Sequence, residues 1–246
     1  MTMLQTPTPS TFDQLVSEWA EREYRLLPVD LYRDIHKGIR AELFAVTQAA
    51  GNGDPASDGD RAALAAHVDD VAATLASHAH HEDAAVDAPL QEHLPALADR
   101  IERDHVHLES RFDRIVEIAH VMADPGDREA RRLLQLLHLD LSAFTSEYLA
   151  HLVLEERVVM PALEAAVGPE EVIAIHGAIV GSIPPDEMGR SLSFMLPAMN
   201  VEDRVELLGG LRLGAPPEAF DAVIDLARTV LRPDEHVALQ RRLGVH

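Results

Sequence analysis

Leu134-Gln-Leu-Leu137-His-Leu-Asp-Leu141-Ser-Ala-Phe144-Thr-Ser-Glu-Tyr148-Leu-Ala-His151-Leu-Val-Leu-Glu155 is the stretch that decides the fold. Leu134, Leu137, Leu141, Phe144 and Tyr148 recur at steps of three and four, the spacing that lines one face of an α-helix. The same face runs on into His151 and Glu155. Two ionisable groups therefore occupy the inward stripe of an apolar helix. Taking them out of water costs several kcal/mol unless each finds a partner.

One turn apart on one face, an imidazole and a carboxylate can grip a metal ion while the carboxylate bridges to a second. The same step, His78-x-x-x-Glu82, lies about seventy residues upstream. It also closes an apolar helical seam, Leu64, Val68, Val71 and Leu75. In a chain with 14 His, chance supplies roughly one such match, so one copy is weak and two on matching seams are not. The plain alternative is a buried, hydrogen-bonded His–Glu pair on each helix, or two surface pairs.

Outward from these segments the chain reads as all-α: strand-like alternation is absent, and Ala, Leu, Glu and Arg dominate. Ser10 or Thr11 can cap a helix reaching about Leu27, where Pro28 interrupts it. Four long helices are expected next: about Leu31 to Ala49, Asp60 to Val86, Ala96 to Met122, and near Arg128 to Pro161 or slightly beyond. Between them lie the Gly51–Gly59 loop, a turn from Pro89 to Pro95, and Ala123-Asp-Pro-Gly. Long helices on short loops make an up-down-up-down four-helix bundle. Beyond Gly168, prolines and paired glycines punctuate three to five short helices, with Met188, Leu192, Met195, Leu196 and Met199 as a core stripe. The expected organisation is a tail and short helix over 1–27, the bundle over 28–166, and a C-terminal helical extension over 167–246. The extension is expected to pack on the bundle or to make a homo-oligomer contact.

Composition narrows the partners. The 246 residues suffice for one substantial domain plus an appendage. No apolar run approaches the length of a membrane span. Met1 to Ser10 lacks the charged start and apolar core of a secretory signal, so a cytoplasmic location is expected. A formal charge of −21 argues against nucleic acid and anionic membranes as partners. With no Cys, disulfides, thiolate sites and iron–sulfur clusters are out, and any metal must be held by His and carboxylates.

The remaining two helices offer ligands of the same kind. His36 shares its stripe with Tyr32, Ile39, Leu43 and Val46; His105 falls on the seam of Leu97, Ile101, Leu108, Phe112 and Ile115. Either alone reads as a hydrogen-bonded core histidine, but four helices each sending one inward is how a bundle builds a dinuclear site. Glu109, four residues after His105, borders the seam and is a candidate carboxylate ligand. Tyr148 stands one turn before His151, as a hydrogen-bond donor, a redox-active neighbour or simply a core tyrosine. His81 lies at the edge of the inward face, whereas His107 shares a polar face with Arg100, Arg103, Arg111 and Arg114. His67, His93, His120 and His138 fall at seam margins or near loops.

In order, His36, His78-x-x-x-Glu82, His105 and His151-x-x-x-Glu155-Glu-Arg-Val-Val-Met-Pro161 resemble a hemerythrin-like (HHE cation-binding) domain over about residues 28–166. The resemblance implies a non-haem di-iron centre: two Fe ions with oxo or hydroxo and carboxylate bridges, Glu82 and Glu155 bridging, and the histidines as terminal ligands. Oxygen-carrying members have a second His where this chain has Glu109. They also carry a carboxylate five residues after the last His, against four here. Fewer His ligands make the site harder and more open, which favours peroxide chemistry, oxidation or iron sensing over reversible O2 carriage. The expectation is a di-iron oxidoreductase acting on O2, peroxide or another reduced oxygen or nitrogen species, catalase- or peroxidase-like turnover being its most concrete form. The alternatives are an O2 or iron sensor or iron buffer read out by the C-terminal helices, a substrate-specific di-iron oxidase or oxygenase, and a metal-free bundle.

Overall fold

The computed structural model describes residues 14, 17, 18, 23–124 and 129–245. Most of the N-terminal helix expected up to Leu27 lies outside the described residues, and residues 23–27 are irregular rather than helical. Helix α1 spans Arg33–Asn52. Asp30 Oδ1 opens it by accepting from the backbone N–H groups of Tyr32 and Arg33, each at 3.0 Å. The helix passes Gly51 and ends at Gly53, whose N–H donates to the Ala49 carbonyl at 3.0 Å.

Helix α2, Asp58–His93, starts where Ser57 Oγ accepts from the Asp60 N–H at 3.1 Å. It does not stop at Val86 as expected but runs through Pro89. An interior proline costs about 3 kcal/mol. Val86 and Leu90, each 1% exposed, offset that by about 1.5–3 kcal/mol apiece. Helices α3, Pro95–Ala123, and α4, Ala130–Leu154, complete the bundle, with α1–α2, α2–α3, α3–α4 and α4–α1 as packed neighbours.

The fourth helix reaches Pro161 and beyond as expected, but it is not regular α throughout. A π-helical turn, Glu155–Val159, intervenes before α5, Met160–Val167. In a regular helix the Pro161 ring would press on the Arg157 carbonyl; the wider turn removes that conflict.

Gly168, at φ 85°, joins α5 to α6 in the left-handed region that favours glycine. Then come α6 (Pro169–Ser182), α7 (Pro185–Ala198), α8 (Val201–Gly214), α9 (Pro217–Val230) and α10 (Pro233–Leu243). Most of these start on proline, whose missing N–H is no loss in a first turn. Helices α7 to α10 share an apolar cluster around Leu196, Leu208, Phe220 and Leu239. Helix α7 lies along α1, and α6 along α2. Arg33–Glu206 at 3.1 Å and a Lys37–Asp203 pair tie α1 to α8. At Gly38 a Cβ would stand 2.5 Å from Phe194 Cδ2, so only glycine lets α7 approach this closely. Among the described residues no helix is long and apolar enough to cross a membrane.

The bundle interior divides into a lower apolar cluster, around Leu43, Val68, Ile115 and Phe144, and an upper one, around Tyr32, Val86, Ile101 and Met160. On α1 the change-over runs Tyr32, His36, Ile39; on α2 it runs Leu75, His78–Glu82, Val86. On α3 it runs Ile101, His105, Leu108, and on α4 and the π-helical turn that continues it Leu152, Glu155, Val159. All four helices thus place their candidate ligands at one level, in a polar layer between two apolar ones.

Candidate metal centre

Within that layer His36, His78 and Glu155 form one group that could hold a metal ion, and His105, His151 and Glu155 form another. Glu155, fully buried, belongs to both and divides its oxygens between them. Oε2 lies 3.4 Å from His36 Nε2; Oε1 lies 2.8 Å from His151 Nε2 and 3.6 Å from His105 Nε2. The Nε2 atoms of His36 and His78 are 3.2 Å apart. Glu82 closes the other side, its Oε2 standing 3.7 Å from the Nε2 atoms of both His78 and His105.

Each histidine but His78 has a carboxylate behind it. Glu156 Oε1 lies 3.0 Å from His36 Nδ1 and also accepts from Arg40. Asp83 Oδ1 lies 2.9 Å from His105 Nδ1, and Asp104 Oδ2 lies 3.8 Å from His151 Nδ1. Such partners turn the opposite nitrogen, Nε2, toward the centre of the layer.

The convergent atoms do not satisfy one another. Both oxygens of Glu82 and of Glu155, Nε2 of His105, both ring nitrogens of His151 and the Tyr32 hydroxyl are buried without a hydrogen-bond partner among the described residues. Even the 2.8 Å approach of His151 to Glu155 lacks hydrogen-bond geometry. Each uncompensated group costs about 1–3 kcal/mol, more when charged. Lone pairs aimed at common points are what a cation resolves, so these residues fit a metal.

The electrostatics agree. Burial, reinforced by the charge of His36, pushes the His78 pKa down to about 3, which leaves its ring neutral and able to ligate. At His151 burial pulls the pKa down, but Glu155, Asp104 and Glu82 outweigh it and raise it to about 10. Burial and the charge of Glu155 raise Glu82, while His151, His105 and His36 overcome burial to lower Glu155. The histidines thus hold Glu155 as a carboxylate, while Glu82 is shifted toward its protonated form.

Six of the seven expected ligands therefore meet: His36, His78, Glu82, His105, His151 and Glu155. Glu109 does not join them; it is exposed on α3. At 3.6 residues per turn it sits about 40° further round the helix than His105, which is itself at the edge of the seam. His81 points to the extension, with Nε2 2.8 Å from Glu187 Oε1, and His107 is largely exposed beside Glu147. Tyr148 is buried with its ring centroid 5.7 Å from that of His151. Glu156, Asp83, Asp104 and Tyr32 were not read from the sequence as parts of the site. The only signal for the first three is a carboxylate directly next to a ligand.

A family model of the hemerythrin HHE cation-binding domain matches residues 27–163, more than half of the chain. The chain belongs to the hemerythrin family. No curated protein and no solved structure matches it. The hemerythrin match takes in α1 to α4, the π-helical turn and the start of α5, so all six convergent residues lie within it and α6 to α10 lie outside. As an HHE cation-binding domain it binds metal cations, and the two His–Glu groups are the residues that could hold them.

Proposed function

We propose that this hemerythrin-family protein is a non-haem di-iron protein that reacts with O2 or with reduced oxygen or nitrogen species. Turnover of peroxide is its most concrete form. The observation that carries the reading is the division of Glu155 between two groups, one carboxylate oxygen to each. His36, His78 and Glu155 Oε2 would hold one ion, and His105, His151 and Glu155 Oε1 the other. Glu82, equidistant from His78 and His105, would span both. A carboxylate-and-imidazole set inside a four-helix bundle suits iron.

When bound, two iron ions supply a redox couple and coordination positions open to O2 or peroxide. The chain's own residues do the rest. Glu156 and Asp83 fix the ring orientations of His36 and His105, and Asp104 stands 3.8 Å behind His151. Burial, followed by Glu82 and Glu155, raises the Tyr32 pKa well above its ordinary value, so its hydroxyl keeps its proton beside the carboxylates and can donate it in a hydrogen bond. Tyr148 keeps its proton for the same reasons. The apolar clusters above and below exclude bulk water. A cleft between α2 and α3, lined by Ala79, Glu82, His105 and Tyr148, leaves a route for a small molecule.

The test is metal analysis of protein purified without oxygen, then absorption spectra as O2 and peroxide are added. Two irons per chain and peroxide consumption are expected. Iron-loaded protein that neither consumes peroxide nor changes its spectrum under O2 sinks the reading.

A sensor is the second reading, favoured by the docking of α7 and α8 on the residues flanking His36, namely Arg33, Lys37 and Gly38. It expects hydrogen exchange in α7 and α8 to change with metal loading. Identical exchange with and without metal would reject it.

A further inference from the structure

The C-terminal helices do more than cover the bundle. Where α6 and α7 meet α1 and α2 they form a partly open pocket of about 150 Å³. Its walls are mostly apolar, with Ile35 from α1, Ile179 and Ile183 from α6 and the turn after it, and Met188, Leu192 and Met195 from α7; His176 and Ser191 are polar members of the lining. Tyr32, His78 and Glu82 also line it, so it abuts the polar layer from the side opposite the α2–α3 cleft.

We propose that this cavity is a binding site for a small, uncharged, apolar molecule about the size of benzene, held against the His78–Glu82 side of the metal centre. Its position beside a metal rests on the reading of that centre given above; the pocket itself does not. A space of about 150 Å³ with largely apolar walls is the size that accepts benzene. Asp30, Asp34 and Glu187 on the rim repel anions. These acids are already engaged, which leaves a cation little to bind: Asp30 holds two backbone N–H groups, and Arg33 donates to Asp34 at 2.9 Å. Glu187 accepts from Ser77 and lies 2.8 Å from His81 Nε2. Those last contacts also fasten α7 to α2 at the rim, and Ser182 Oγ, 3.1 Å from His81 Nδ1, adds the end of α6. Gly38 sets the other wall by letting Phe194 seat against α1. The cavity is thus a built feature of the docked extension, and two of its four walls, α6 and α7, lie outside the family match.

Benzene is titrated into the full-length, chelator-treated chain labelled with 13C at the methionine methyls. Met188 and Met195 are assigned by substitution with leucine. Saturable shifts confined to those two methyls are expected. Ser191→Phe, which fills the cavity from α7 and removes no described hydrogen bond, is expected to weaken benzene binding at least about tenfold, with metal uptake unchanged. Ile179→Phe fills it from the facing wall and serves if Ser191→Phe does not fold. No saturable shift in the parent protein, or equal affinity in a folded variant, overturns the proposal. Normal metal uptake without benzene binding rejects the pocket and leaves the metal centre standing. Benzene binding in a chain that takes up no metal upholds the pocket and rejects the metal reading.

Discussion

Arg61 and Glu155 are both charges buried in the same bundle, one under the α1–α2 loop and the other between the two apolar clusters. Arg61 is 4% exposed, and each of its nitrogens has a partner within the chain: Nε the Met122 carbonyl at 3.0 Å, Nη1 the Pro55 carbonyl at 2.8 Å, Nη2 Asp58 at 2.7 Å. Glu155 is fully buried, and neither of its oxygens has a hydrogen-bond partner. The first arrangement is complete in protein alone and pins a loop to a helix end. The second is complete only with a cation, so its residues are arranged for a ligand at the expense of the apo fold.

The contrast breaks most readily at Glu155. Glu155→Ala removes the carboxylate common to both groups and is expected to abolish metal binding, a loss beyond the 10–100-fold typical of outer partners, read by metal analysis. In the parent chain added metal should raise the melting temperature, and in this variant it should not. Arg61→Ala is expected to do the reverse, costing about 3 kcal/mol in denaturant unfolding while leaving metal content as it was. Equal metal loss in both variants would erase the distinction. Glu156→Ala frees His36 Nδ1 and should weaken metal binding about tenfold by competition with a chelator, with little change in unfolding. Glu109→Ala is the smallest: metal content unchanged and stability within about 0.5 kcal/mol, as for an exposed side chain.

Periodicity made the bundle legible because a His or Glu on an apolar seam must face inward, and six such residues meet at one level. Glu109 failed the same reasoning because four-residue spacing conserves a face only approximately, and His105 already stood at its edge. Pro89 does not end its helix, because the burial of Val86 and Leu90 against the upper cluster overrides the local rule for helix ends. Glu156, Asp83 and Asp104 look like ordinary solvated charges along their own helices. Their roles come from contacts across helices or from the widened turn, which no single periodic pattern encodes. The close approach at Gly38 likewise depends on where Phe194 lands, about 150 residues away.

The widened turn at Glu155–Val159 acts as a phase shift. Each residue advances a regular helix by about 100°, so one residue of slack separates the chain into two faces that can be spelled independently. Before the turn the inward letters are Tyr148, His151 and Glu155; after it they are Val159, Met160 and Leu163. Removing a single residue between 156 and 159 would restore a smooth helix and keep every ligand, yet it would rotate the wrong side chains over the polar layer. The roof of the metal centre is written in the length of this segment as much as in its composition.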